Sequence, residues 1–298
     1  VEASAVPVAL SVFHTAFNIA NTLLMLGFIS LIARIVTVMV PEPEHAEPAV
    51  DQPVYLSKLS LEYPQTGIKA LFDESLRLLQ NAGYKAITHG LSVHRDDLHA
   101  GVRLRDMVAS REPVAVNIDE LYQTRIKSIY GEILEYATRL QSAANLSEEE
   151  VESVRNLLIA DRLLVHTIKR MQPLHDNIVL FMNSGNDSII AEYNRIRRRI
   201  LKVMRGIHRA SESEYPLRHV RKLERHRSKA QQLDVLASGR VNQLLMEGKI
   251  TQVMATSLIN DSENASKIVH ALIDIATLLY YPRDRLVNEM EEVANGTA

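Results

Sequence analysis

From Ala3 to Ala33 the chain carries no Asp, Glu, Lys or Arg, and the first charge after that run is Arg34. A bilayer hydrocarbon core of about 30 Å needs roughly 20 apolar residues in a helix. Asn18 to Val40 meets that need, because Ile19, Leu23, Leu24, Met25, Leu26, Phe28, Ile29, Leu31 and Ile32 leave no polar face. A surface helix would be apolar along one stripe only. The pattern therefore predicts a transmembrane helix within residues 1–40. The uncharged run is longer than one crossing requires, and Pro7 limits the helix upstream. A break between a short re-entrant piece and the full span is expected. Arg34 assigns the exit end of the helix to the cytoplasm by the positive-inside tendency. A secretory signal fits less well, since no basic segment precedes the apolar run. The sequence starts on Val1 without an initiator Met, so the chain is expected to be the C-terminal part of something longer.

Residues 41–64 read as a linker. Prolines and acids alternate from Pro41 to Pro53, which favours an extended, hydrated chain, and Tyr55 to Pro64 forms a short extended approach to the next unit. From Thr66 onward apolar residues recur at three- and four-residue steps, the period of a helix. Ile68, Leu71, Leu78, Ala82, Ala86 and Leu91 mark a first stripe, and Val102, Leu104 and Met107 a short further piece. Ile118 to Leu140 marks a second. A capping box at Ser147–Glu150 opens a third, in which Pro173 should kink or interrupt the helix. After a turn at Ser184–Ser188 come Ile189, Tyr193, Ile196, Ile200, Val203 and Ile207, then a break from Ser211 to Pro216. One stripe then runs from Val220 to Leu244, and a last one from Ile250 to Leu279, stopped by Pro282. This predicts about six helices in two sets of three. The short turns Ala143–Leu146 and Glu247–Lys249 make their flanking helices antiparallel neighbours.

Composition narrows the chemistry. The chain is 46% hydrophobic and 23% charged, with net charge −2 and neither Cys nor Trp. A large core is affordable, while a disulfide scaffold and thiolate metal sites are excluded. The sequence holds no nucleotide-binding glycine loop, nucleophile elbow or zinc-spaced His/Glu pair, so no enzyme and no cofactor are expected.

Three groups of polar residues stand out. His14 and Asn18, with Phe17 between them, lie inside the apolar run, where polar groups are costly and face protein or water. They either line a transport path or satisfy backbone groups at the helix break. Asp161 and Asp261 occupy similar places on two packing seams, where internal hydrogen bonds fix register. The stretch from Arg195 to Lys229 is basic, and Arg197, Arg198 and Arg199 are its densest part. It reads as a solvated face balanced by acids such as Glu148–Glu150, or as a contact for anionic lipid headgroups or a phosphorylated ligand. Nucleic acid is disfavoured, because no aromatic residues interleave with the charges.

The H-x-x-F-N sequence at His14–Asn18, followed by the apolar run Ile19–Phe28, resembles the final membrane segment of sodium-dependent phosphate symporters. In that family the membrane domain is often followed by a cytoplasmic helical domain resembling the phosphate-uptake regulator PhoU. The two sets of three helices predicted over residues 65–298 are similar to the PhoU architecture. The resemblance implies an all-α chain: the end of a membrane transport domain in residues 1–40, the linker, then a PhoU-like pair of antiparallel three-helix bundles. It implies an inner-membrane location with the helical domain in the cytoplasm, and as partners the membrane and the rest of the transporter. Anionic lipid or a regulatory protein is a further partner of the helical domain. Sodium and phosphate are then transported ions, bound mainly by paired Gln-Ser-Ser repeats that this chain lacks. PhoU proteins also carry a metal-binding E-R-x-G-D-like stretch. Here Arg170 matches, but Lys169 and Pro173 replace its acids, so no metal is assigned. The alternative from another class is a membrane-tethered helical sensor or adaptor that transports nothing.

Overall fold

The computed structural model describes residues 5–39, 51–98, 102–110, 112–143, 145–213, 215–232 and 234–294. All regular structure among them is helical, and the chain divides into two units, Val1–Ala49 and Val50–Ala298. The first contains one helix, α1 (Ala5–Met39). Its 35 residues span about 52 Å at 1.5 Å per residue, more than a hydrocarbon core of about 30 Å. The segment Leu10–Ile29 is long and apolar enough to cross a membrane, and none of its side chains is buried. The expected break is not there. Pro7 falls in the first turn, where its missing N–H removes no helical bond. The polar side chains farther along bond within the helix itself: Thr15 donates to the Ser11 carbonyl (2.9 Å) and Thr22 to that of Asn18 (2.8 Å). With those groups satisfied locally, nothing requires the backbone to open.

Among its described residues the second unit has ten further α-helices. The first of these are α2 (Pro64–Leu78), α3 (Tyr84–Gly90), α4 (Leu104–Met107), α5 (Ile118–Leu121) and α6 (Lys127–Ala143). Then follow α7 (Glu148–Met182), α8 (Asp187–Ser211), α9 (Pro216–Gln232), α10 (Arg240–Met246) and α11 (Gln252–Ala294). Single π turns fuse α2 to α3 and α5 to α6. The predicted starts have their caps. Pro64 is at the first turn of α2, the Ser147–Glu150 capping box opens α7, and Asn186 accepts from two amides at the start of α8. Helices α2 and α6 pack on α7, while α8 and α9 pack on each other and on α11. The most extensive contact joins α7 to α11. The predicted stripes form the core: Leu71, Ile133, Leu140 and Ile168, and likewise Ile200, Leu258, Ile268 and Leu272, are fully buried. At Gly206 in α8 a Cβ would collide with the Leu223 side chain of α9, so that crossing needs glycine.

Four boundaries differ from the periodicity. The stripe from Val220 to Leu244 is two helices, because the Asp234 carboxylate accepts from the amides of Leu236 and Ala237 (both 3.0 Å) and turns the chain. Gly239 (φ 70°) completes that turn. Helix α7 runs through Pro173 without interruption. Asn264 of α11 donates to the Arg170 carbonyl there (2.8 Å), supporting backbone next to the bond that proline removes. Helix α11 continues past Pro282 to Ala294. Finally, residues 51–63 belong to the helical unit and not to a linker. The buried Glu74 carboxylate accepts from the amides of Val54 and Tyr55 (both 2.8 Å), and Arg77 donates to the Gln52 carbonyl (3.0 Å). The proline-rich part of the linker, residues 41–50, lies outside the described residues.

Both seam aspartates are buried, and their partners differ. Asp161 of α7 has one close partner, the Ser75 hydroxyl of α2 (2.7 Å), which also lies 3.0 Å from the Leu71 carbonyl. One hydroxyl proton cannot serve both acceptors. A protonated Asp161 satisfies all three groups by donating to Ser75 while Ser75 donates to Leu71. Burial raises the Asp161 pKa from 3.8 to about 7, against the Ser75 bond, with Glu74 adding a smaller push upward. An acid raised in this way stabilises the fold below its unfolded pKa, and that contribution is lost as pH climbs through about 7. The full contribution is at most roughly 4 kcal/mol. Thermal unfolding of Asp161→Asn beside the wild type tests this. The variant should gain on the wild type as pH rises from 5.5 to 8.5, and a difference that stays constant with pH contradicts it.

Candidate functional site

The basic stretch separates into an inward and an outward set according to helical position. Arg197 lies four residues after Tyr193, three before Ile200 and seven before Met204, on the buried face of α8, and it is fully buried. Its Nε donates to the Leu91 carbonyl (2.7 Å) and its Nη2 to that of Ser92 (3.0 Å). Its Nη1 donates to the Val108 carbonyl (3.1 Å) and to Asn194 Oδ1 (2.7 Å). Leu91 and Ser92 follow the last turn of α3, where the helix dipole favours a cation. Desolvation lowers the Arg197 pKa to about 10, so the group stays charged at neutral pH. The expectation that Arg197 contacts lipid or phosphate is therefore corrected, since its donors are spent inside the fold.

The outward set forms a groove of about 580 Å³. One wall carries Arg195, Arg198, Arg199 and Lys202, spaced i, i+3, i+4 and i+7 along α8. His226 and Lys229 of α9 face them, and Ser238, Arg240 and Gln243 line the end toward α10. Leu104 is the partly exposed apolar residue in the lining, and Ile196 and Val235 lie buried behind it in the core. The one carboxylate in the lining is Glu192, which is buried and accepts from Arg195 Nη1 (2.7 and 2.8 Å) and Arg240 Nε (2.8 Å). Gln243 accepts from Arg240 Nη1 (2.9 Å). Arg195 and Arg240 are thereby held at the rim. Arg198 bonds the Asn194 carbonyl through Nε (3.1 Å), while Lys202 and Lys229 have no carboxylate partner among the described residues. Burial lowers the Arg199 pKa, partly countered by Asp234. Burial also lowers the His226 pKa, with Lys202 and Lys229 repelling its proton, so this imidazole is neutral at pH 7. Six permanent cations and one carboxylate among the described lining residues give the groove a net positive charge, with Asp234 acting on Arg199 from nearby.

In α1, Asn18 Nδ2 donates to His14 Nε2 (3.1 Å), as the four-residue spacing predicts. Phe17 does not join them. It stacks on Phe13 with ring centroids 6.3 Å apart. Where the metal motif was sought, Lys169 sits 5.0 Å from the Tyr122 ring centroid, and a small hollow near His166, Arg170 and Asp261 is flanked by these cations. Asp261 itself accepts from Tyr193 (2.6 Å) and Asn177 (2.9 Å), the internal bonding expected of a seam residue. Among the described residues no three His, Asp or Glu side chains converge on a metal-sized space. No family model, curated protein or solved structure matches the chain.

Sequence reasoning located the basic stretch but picked consecutive residues. The signal for the groove was the i, i+3, i+4, i+7 spacing of Arg195, Arg198, Arg199 and Lys202, and the signal for Arg197 was its place on the apolar stripe. Replacing Arg197 with Ala orphans three buried carbonyls, and the cost should exceed about 3 kcal/mol. Arg198→Ala, at a partly exposed position, should stay within about 0.5 kcal/mol. Denaturant midpoints of the two variants measure the contrast, and equal midpoints would remove the inward role of Arg197.

Proposed function

We propose that this chain is the last membrane segment and cytoplasmic regulatory domain of a sodium-coupled inorganic phosphate transporter, with the cationic groove as the place where the domain reads an anion. The observation that carries the reading is a lipid-compatible helix, Leu10–Ile29, on the same chain as a helical unit with a groove lined by six cations. Helix grouping supports the PhoU-like part. Helices α2 and α6 pack on α7 as α8 and α9 pack on α11, and each third helix brings an aspartate to a hydroxyl of the first, Asp161 to Ser75 and Asp261 to Tyr193. In this reading sodium and phosphate bind mainly in other parts of the transporter, and no chemical step belongs to the chain. The membrane-tethered sensor without transport remains the second reading, favoured by the groove alone, since anion sensing requires no transport path.

Phosphate uptake by cells expressing the full-length protein separates the two. The transporter reading predicts sodium-dependent uptake, and predicts that Arg198→Glu with Lys202→Glu changes how uptake responds to internal anions while membrane abundance is kept. Asn18→Leu should lower uptake more than abundance, and His14→Leu similarly but less. Full-length protein that reaches the membrane and shows no sodium-dependent uptake would leave the sensor.

A further inference from the structure

The size and lining of the groove say more about its ligand than charge alone. At about 580 Å³ it falls within the roughly 300–1,000 Å³ typical of small-molecule sites, far more than one inorganic phosphate fills. Its cations come from two facing helices and from α10, so they converge on an object inside the groove, whereas a lipid surface meets the outside of a protein. Leu104, partly exposed, puts one apolar side chain in a lining otherwise dominated by cations. A neutral imidazole, His226, adds a planar face beside them. The ligand therefore combines several negative charges with a flat, less polar part.

We propose that the groove binds a nucleoside di- or triphosphate, its phosphates held by Arg198, Lys202 and Lys229 and its base lying against Leu104 and the His226 ring. Arg198 offers its terminal guanidinium nitrogens, because its bond to Asn194 uses Nε alone. Lys202 and Lys229 are exposed ammonium groups without carboxylate partners among the described residues, both repelling positive charge at His226. A polyphosphate between them replaces that repulsion with attraction. Glu192 contributes by position: its bonds to Arg195 and Arg240 draw both guanidiniums to the rim and keep the centre of the groove open. The inference rests on the groove being the domain's anion-reading site and is independent of whether the protein transports phosphate.

Isothermal titration of the full chain in phosphatidylcholine nanodiscs at about 0.15 M salt tests it, with ATP, tripolyphosphate, adenosine and inorganic phosphate as probes. ATP should bind at least about tenfold more tightly than tripolyphosphate, and adenosine should not bind. Lys202→Gln and Lys229→Gln, at exposed positions that leave the fold intact by circular dichroism, should each weaken ATP by about tenfold or more. The imidazole NMR signals of His226 should move on adding ATP and stay fixed with adenosine. Equal affinity for ATP and tripolyphosphate would remove the base from the site and overturn the proposal. So would a tenfold loss of ATP affinity in nanodiscs containing phosphatidylglycerol, which would assign the groove to lipid headgroups. Binding of inorganic phosphate without ATP would sink the nucleotide and keep the anion-reading site, and binding of no anion would sink both.

Discussion

The Arg197 guanidinium is buried among carbonyl oxygens, taking those of Leu91, Ser92 and Val108 from an earlier stretch of chain and the Asn194 amide from its own helix. A cation in such a place is costly unless its donors find acceptors, and four of the five N–H groups of Arg197 do. Meeting that condition fixes the rotation of α8 about its axis and ties the segment after α3, and the loop after α4, to the second half of the unit. Because Arg197 points inward, Arg195, Arg198, Arg199 and Lys202 point the other way, and the groove follows from the same rotation. One buried ion thus links the packing of the unit to its outward electrostatics.

Much of the fold was legible in the sequence because its helices obey simple rules. The charge-free run, the apolar steps, the Ser147–Glu150 box and the Asn186 cap all act within a few residues, and the structure has each of them. What was missed depends on contacts between distant segments or on competition at one residue. Asp234 ends α9 by bonding its own backbone, although the apolar period continues across it. Pro173 looked like a break, yet packing against α11 holds α7 continuous. Residues 51–63 looked like linker until Glu74 supplied acceptors for their amides. The groove needs Lys229 and Arg240 beside α8, and no pattern within a single sequence fixes that register.

The apolar helix α1 and the helical unit pose opposite electrostatic problems. Between Leu10 and Ile29, hydroxyls bond to carbonyls four residues back and Asn18 bonds to His14, so the polar groups close on themselves as a hydrocarbon solvent demands. In the groove, six cations line one space, and burial together with Lys202 and Lys229 lowers the pKa of His226 between them.

The central claim is that adjacent arginines on α8 have opposite fates, one inside the fold and one in the groove. Arginine footprinting with phenylglyoxal, read by mass spectrometry on the native full chain, addresses it residue by residue. Arg198 should react readily, and Arg197 should stay unmodified until the protein is unfolded. Labelling of Arg197 as fast as Arg198 in the native protein would contradict the account.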